Sequence, residues 1–349
     1  MTLTFSEFLT DMLESLPFLI TSLLTIAVIL VNGWTDAPNA IATCVSTRAL
    51  TPEGAIIMAA IMNFLGCYVF TLINSSVVTT ISNMVDFGND SKSALIALCA
   101  ALVGIVVWAT AAWYFGIPTS ETHALIAGLS GAAIALGGAS GINLDTWMLN
   151  IYGLVLSTIL GFGLGWLISK ITVLIASQFE RKQTTRFFKM AQIAGAASMA
   201  FMHGAQDGQS FMAIFMLGMF IARGSTVNSF VIPVWMMILC SIVMALGTSI
   251  GGYRIIKQVG MNMARLETYQ GFAADTAATL CLFVSSLLGM SVSTTQTKTT
   301  AIMGVGAAKR MRSVDWTIVK EMVFTWICTF PGCGLVGFLM AKLFIVIFK

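Results

Sequence analysis

Residues 30–51 read LVNGWTDAPNAIATCVSTRALT. They follow an apolar run over 17–31, yet they bring a carboxylate, a proline and a carboxamide at Asp36, Pro38 and Asn39. A charged side chain at the centre of a membrane helix costs about 2.5–3.5 kcal/mol on insertion scales, so one found there is a functional candidate by default. Whether this stretch lies in a membrane is decided by the rest of the chain.

Of the 349 residues, 57% are hydrophobic and only 9% are charged, against roughly 25% charged in soluble domains. Mean hydropathy is +0.90. Long apolar runs occupy 17–31, 54–73, 94–115, 154–177, 230–246, 277–290 and 322–348, and several reach the ~20 residues that a bilayer-crossing helix needs. The expected fold class is an all-α polytopic membrane protein. The longest polar stretches, 178–189 and 251–270, have connector length and leave no room for a soluble domain. The acidic N-terminus, with Glu7, Asp11 and Glu14, lacks the basic start of a cleaved signal peptide and reads as mature sequence. A net charge of +3 gives no nucleic-acid footprint. Cys44, Cys67, Cys99, Cys240, Cys281, Cys328 and Cys333 show no metal-type spacing and read as packing residues.

The opening stretch has a counterpart. NGWTDAPNA at 32–40 aligns with HGAQDGQSF at 203–211, pairing Gly33 with Gly204 and Asp36 with Asp207. GIPTSETHA at 116–124 aligns with GMSVSTTQT at 289–297, pairing Ser120 with Ser293. The offsets are 171 and 173 residues, half the chain. Weak motifs recurring in order at one offset mark a tandem duplication. We divide the chain into a first repeat over 1–178, a basic connector over 179–189 and a second repeat over 190–349.

Charge placement orients the copies. The connectors 76–93 and 137–147 carry Asp86, Asp90 and Asp145 against Lys92. Their counterparts carry Arg254, Lys257 and Arg265, then Lys309, Arg310 and Arg312. Lys and Arg mark the cytoplasmic side, so equivalent loops are expected on opposite faces. That makes two inverted-topology repeats with broken or re-entrant half-helices, an architecture typical of secondary transporters. The connector, with Arg181, Lys182, Arg186 and Lys189, should be cytoplasmic, and both termini should lie outside.

Asp36 and Asp207 sit at ends of apolar runs among helix-weakening residues, Gly33, Pro38 and Asn39 in one copy and Gly204, Gly208 and Ser210 in the other. Broken helices within a bilayer are tolerated where they line a wet or ion-filled cavity. The competing reading is a pair of helix caps at the interface. In the second motif, Ser120, Glu121 and Thr122 open the short apolar stretch 124–136, and Ser293, Thr294 and Thr295 lie in the run that precedes 301–308. Hydroxyls cap helix starts, and a helix N-terminus is a ready anion site. Two such half-helices could aim at one anion, unless they are ordinary interfacial caps. His123 and His203 read as helix-end or packing residues, and Lys298 as a side chain snorkelling to the basic side.

At these residues the sequence resembles the inorganic phosphate transporter (PiT) family of ion-coupled phosphate symporters. The resemblance rests on Gly33-Trp34-Thr35-Asp36-Ala37-Pro38-Asn39, on 203–207, on 116–123 and 289–296, and on 47–52, 59–66 and 271–275. It covers nearly the whole chain. It implies a midplane phosphate near Asp36, Asn39, Ser120, Thr122, Asp207, Ser293, Thr294 and Thr295. It also implies a coupling ion, sodium or proton, near Thr35, Asp36, Thr43, Glu121, Gln206 and Asp207, with any sodium held at Asp36 and Asp207. The chain departs from the family pattern at Thr35, Gln206, Glu121, Gln296 and Ser291.

The expected activity is import of inorganic phosphate by symport with sodium or protons, through alternating access in the cell membrane. No enzyme activity and no cofactor beyond bound sodium is expected; a homodimer is compatible with this reading. A permease for sulfate or another oxyanion is the alternative. A membrane-embedded hydrolase using the paired aspartates is a weaker one, because it has no use for duplicated hydroxyl-rich helix starts.

Overall fold

The computed structural model describes residues 4–115, 119–224, 231–250, 252–257, 259–260, 263 and 266–348. Gly116, Ile117, Pro118 and Arg265, and the side chain of Arg254, lie outside the described residues. A short amphipathic helix, α1 (Phe5–Glu14), leads into α2 (Leu16–Thr35), whose first turn holds Pro17 and is capped by the Ser15 side chain. At Asp36 the helix stops, and α3 (Pro38–Ser46) begins. The cause is local: Pro38 has no N–H to continue the ladder, and its ring clashes with the preceding turn.

The chain continues through α4 (Pro52–Leu65), a π turn at Gly66–Phe70, α5 (Thr71–Ile73), α6 (Ser76–Ser82) and α7 (Ser91–Phe115). Then come α8 (Glu121–Gly137), α9 (Leu144–Ala176), α10 (Arg181–Ala222), α11 (Val234–Ile250) and α12 (Tyr253–Lys257). The last helices are α13 (Thr268–Leu287), α14 (Thr294–Lys309) and α15 (Trp316–Phe348). Among the described residues there is no strand beyond one isolated bridge, Val85 with Ile142. Among the described residues, six helical stretches are long and apolar enough to cross a membrane: Leu16–Ser46, Pro52–Ile73, Ser91–Phe115, Glu121–Gly141, Leu144–Ala176 and Trp316–Phe348. The all-α polytopic reading holds.

Three expectations change. The connector 179–189 is mostly helix: Glu180 caps α10, and the basic residues from Arg181 form its first turns. No Gly or Pro interrupts 181–194, and Lys, Arg and Gln are good helix formers. Second, α10 runs unbroken through Asp207 for 42 residues. Gly204 and Gly208 do not weaken it; they let it approach α4 and the π turn, where a Cβ on Gly204 would meet the Asn63 backbone and one on Gly208 would meet Cys67. Third, α8 and α14 are 17 and 16 residues long, because the hydroxyl-rich starts are themselves helical turns.

Packing sorts the loops by charge. Arg223, just past the end of α10, pairs with Asp11 of α1 at 2.6 Å. Asp86 N–H donates to the Gly141 carbonyl at 2.9 Å, so the loop 84–90, with Asp86 and Asp90, lies against 138–143, just ahead of Asp145 in the first turn of α9. At the opposite end, Lys309 pairs with Glu267 at 3.0 Å, and Phe188 packs on Tyr269 with ring centroids 6.1 Å apart. Gly104 lies beside Gly337 and Trp108 over Gly332, so α15 runs antiparallel to α7 and returns the C-terminus to the α1 end. One face therefore carries α1, the end of α15 and the loop with Asp86 and Asp90. The other carries the start of α10 and the basic residues Lys309, Arg310 and Arg312.

Candidate functional site

Asp36 stands at the break between α2 and α3, and Asp207 lies inside α10; both are buried. Asp36 Oδ1 accepts from Asn39 Nδ2 at 2.8 Å and from the Thr295 hydroxyl. Asp207 Oδ2 accepts from Asn32 Nδ2 at 3.0 Å. The Thr294 hydroxyl lies 3.4 Å from Asp36 Oδ2 and 3.4 Å from Asp207 Oδ2. A hydroxyl has one proton, so Thr294 can serve only one of the two carboxylates at a time. Glu121 adds a third buried carboxylate and accepts from Thr35, the neighbour of Asp36.

These groups are rich in acceptors and short of donors. Asp207 Oδ1, Glu121 Oε2, Asn32 Oδ1 and Asn39 Oδ1 are buried without a hydrogen-bond partner. Four such oxygens around two aspartates describe a demand for positive charge, since buried acceptors left unpaired are costly.

His203 joins them, and its tautomer can be deduced. Thr248 donates its hydroxyl proton to the Met244 carbonyl at 2.8 Å, so it must accept from Asn63 Nδ2 at 3.0 Å. That turns Asn63 Oδ1 toward His203, which donates from Nδ1 at 2.9 Å. In the neutral ring Nε2 is then a bare lone pair, 3.3 Å from Asp207 Oδ2 and making no hydrogen bond. Ligand atoms of Asp36, His203 and Asp207 all lie within 4.8 Å of one another, close enough to share one cation. An outer acceptor fixing a ligand histidine is the usual arrangement around cations.

The helix starts supply the opposite charge preference. Ser120 caps α8 and accepts from His123 N–H at 3.2 Å; Ser293 caps α14 and accepts from Gln296 N–H at 3.0 Å. Helix geometry leaves the amides of Glu121, Thr122, Thr294 and Thr295 without intrahelical acceptors. The two starts abut: Thr122 donates to the Val292 carbonyl at 3.4 Å, and His123 Nε2 lies 3.1 Å from Gln296 Oε1. From this junction α8 runs toward the acidic face and α14 toward the basic one. Two positive dipole ends thus converge beside three carboxylates, which suits an anion and a cation held together.

The structure brings together Thr35, Asp36, Asn39, Glu121, Asp207, Thr294 and Thr295, with Ser120, Thr122 and Ser293 at the helix junction. Gln206, expected near the ion, is used elsewhere: its Nε2 donates to the Met290 carbonyl at 2.8 Å, and its Oε1 accepts from Ser286. It braces the 286–291 loop. Thr43 also misses the aspartate pair and contacts Asp275, donating at 2.8 Å to Oδ1. Lys298 does not snorkel. It is fully buried and ion-paired with Asp275, a partner on another helix. Sequence reasoning missed Asn32, Asn63, Gln192 and Asp275. The available signal for Asp275 was a lone carboxylate next to the apolar run 277–290. All seven cysteines are free, and six are buried.

A polar site sealed at the middle of a many-spanning helical protein, with discontinuous helices pointing at it, is the build of a membrane transporter. The family model of the phosphate transporter family matches residues 32–182 and 171–337. The chain belongs to that family. It is 37% identical over 307 residues to the "Probable low-affinity inorganic phosphate transporter" of Bacillus subtilis (strain 168), covering 88% of this chain and 91% of that one. A protein of the same description from Rhizobium meliloti (strain 1021) is 36% identical over 310 residues, 88% and 90% of the two chains. Among solved structures, "The sodium-dependent phosphate transporter" superposes with a TM-score of 0.88 at 21% identity, over 95% of this chain and 100% of that one. That likeness is one of fold. These relatives are named as transporters, not as hydrolases.

Proposed function

We propose that this protein imports inorganic phosphate in symport with sodium by alternating access. The observation that carries the reading is the Asp36–Thr294–Asp207 bridge, set where the N-termini of α8 and α14 meet. Three carboxylates repel a bare anion. Sodium bound among Asp36, Asp207 and the unpaired oxygens removes that repulsion, so anion binding depends on cation binding. One proton satisfies one or two acceptors; the four unpaired oxygens favour a metal cation over a proton. The solved relative is named for sodium dependence, which agrees with this choice.

Phosphate would rest on the amides of Glu121, Thr122, Thr294 and Thr295. A protonated phosphate oxygen can donate to a carboxylate. Sulfate has no such proton at neutral pH and leaves the acceptor unpaired, at a cost of ~1–3 kcal/mol, roughly 5–150-fold in affinity. Site side chains are buried from both faces, as in an occluded step of the cycle. The basic face is cytoplasmic by the positive-inside rule, which puts both termini outside.

Uptake of labelled phosphate into proteoliposomes tests this. An inward sodium gradient should drive it, and excess sulfate should compete weakly. Uptake driven by a proton gradient but not by sodium would move the coupling to Glu121, and no phosphate uptake under either gradient would overturn the reading.

A further inference from the structure

Lys298 and Asp275 form a second buried charge cluster that the transport site does not use. The Lys298 ammonium pairs with Asp275 Oδ1 and donates to the Thr43 hydroxyl at 3.1 Å. Thr43 in turn donates to Asp275. Gln192 Nε2 donates to Asp275 Oδ2 at 2.6 Å, and Gln192 Oε1 is buried without a partner. All four side chains are fully buried, and they come from four helices, α3, α10, α13 and α14.

A buried ion pair is weak evidence for stability, because desolvating both ions offsets most of their attraction. A pair of apolar residues would hold these helices as well. The composition around the ammonium is informative instead: a carboxylate, a hydroxyl and a carboxamide, hard oxygen donors of the kind that bind metal cations. Its position is informative too. Thr43 lies one helical turn, about 6 Å, beyond Asn39 on α3, and Lys298 follows Thr295 by one turn on α14. The cluster therefore lies between the Asp36 site and the basic face, on two helices that also hold Asp36.

We infer that Lys298 is a tethered cation: its ammonium permanently fills an oxygen cage at Asp275 that otherwise takes a free monovalent cation. The chain thereby dispenses with one mobile ion, and Asp275 stays neutralised through the cycle. Removing the ammonium while keeping Asp275 leaves a buried carboxylate with no counter-charge and space beside it. A sodium ion should then enter.

The test compares the full-length wild type with Lys298→Ala and with the double variant Lys298→Ala/Asp275→Asn. Melting temperature in detergent is measured in sodium chloride and in choline chloride. Sodium should raise the melting temperature of Lys298→Ala by several degrees more than that of wild type, and the double variant should show only the wild-type increment. This arm reads Asp275 directly and stands whichever anion the protein carries. In proteoliposomes, sodium-driven uptake by Lys298→Ala should gain a Hill coefficient of about one and one positive charge per turnover. Lys298→Gln, which keeps a donor for Asp275, provides the comparison if the alanine variant is too unstable to purify. Equal sodium increments in all three proteins would overturn the proposal. So would collapse of both single variants in every salt, since a free cation then cannot take the ammonium's place.

Discussion

Thr294 offers the sharpest perturbation of the transport site. Its hydroxyl is 3.4 Å from Asp36 Oδ2 and 3.4 Å from Asp207 Oδ2, and it is almost completely buried. Thr294→Val keeps the shape and removes that one oxygen. Asp207 Oδ2 retains Asn32 as a donor. Hydrogen bonds to charged groups contribute about 1.5–3 kcal/mol; contacts of this length belong at the lower bound, which is roughly tenfold in a binding constant. The hydroxyl also serves as a ligand once sodium enters, so the loss should fall on the cation. The assay is phosphate uptake as a function of sodium concentration in proteoliposomes. Half-saturating sodium should rise about tenfold, with maximal uptake largely retained at saturating sodium. Thr294→Ser should stay near wild type. A valine variant whose sodium dependence matches wild type would refute the bridging role of this hydroxyl.

Two further substitutions follow from the packing. Asn63→Leu removes the acceptor that fixes the His203 tautomer; loss of an outer partner of this kind typically costs ~10–100-fold in cation affinity, read as a rise in half-saturating sodium. Gly204→Val pushes a side chain into the Asn63 backbone and should destabilise by about 1–3 kcal/mol or more, seen as a lower melting temperature. Gly163→Ala, on a helix with nothing within 4 Å of the added carbon, should leave the melting temperature unchanged or slightly raised.

Much of the architecture was legible because membrane solvent imposes simple rules. Apolar runs gave the spans, and Pro38 gave the break at Asp36, since a missing N–H has the same consequence wherever it sits. Gly204 and Gly208 were misread because glycine has two uses in a helix, weakening it or admitting a neighbour. Only the position of α4 shows which one applies. Ser120 and Ser293 were placed correctly as caps, because capping is decided within four residues. Lys298 was not, because its partner Asp275 is 23 positions away on another helix. In an apolar chain a buried Lys implies a carboxylate partner, but Asp36, Glu121, Asp207 and Asp275 all offer one. The sequence held them all, without the distances between them. His203 required the Thr248–Asn63 relay, which no local pattern reveals.

The central claim is that the anion binds only after a cation has neutralised Asp36 and Asp207. Equilibrium binding of labelled phosphate to the purified protein, in sodium and in choline, tests it without any membrane gradient. The account predicts binding by wild type in sodium and almost none in choline, and a loss of that sodium requirement in Asp36→Asn/Asp207→Asn. Equal binding by wild type in the two salts would contradict it.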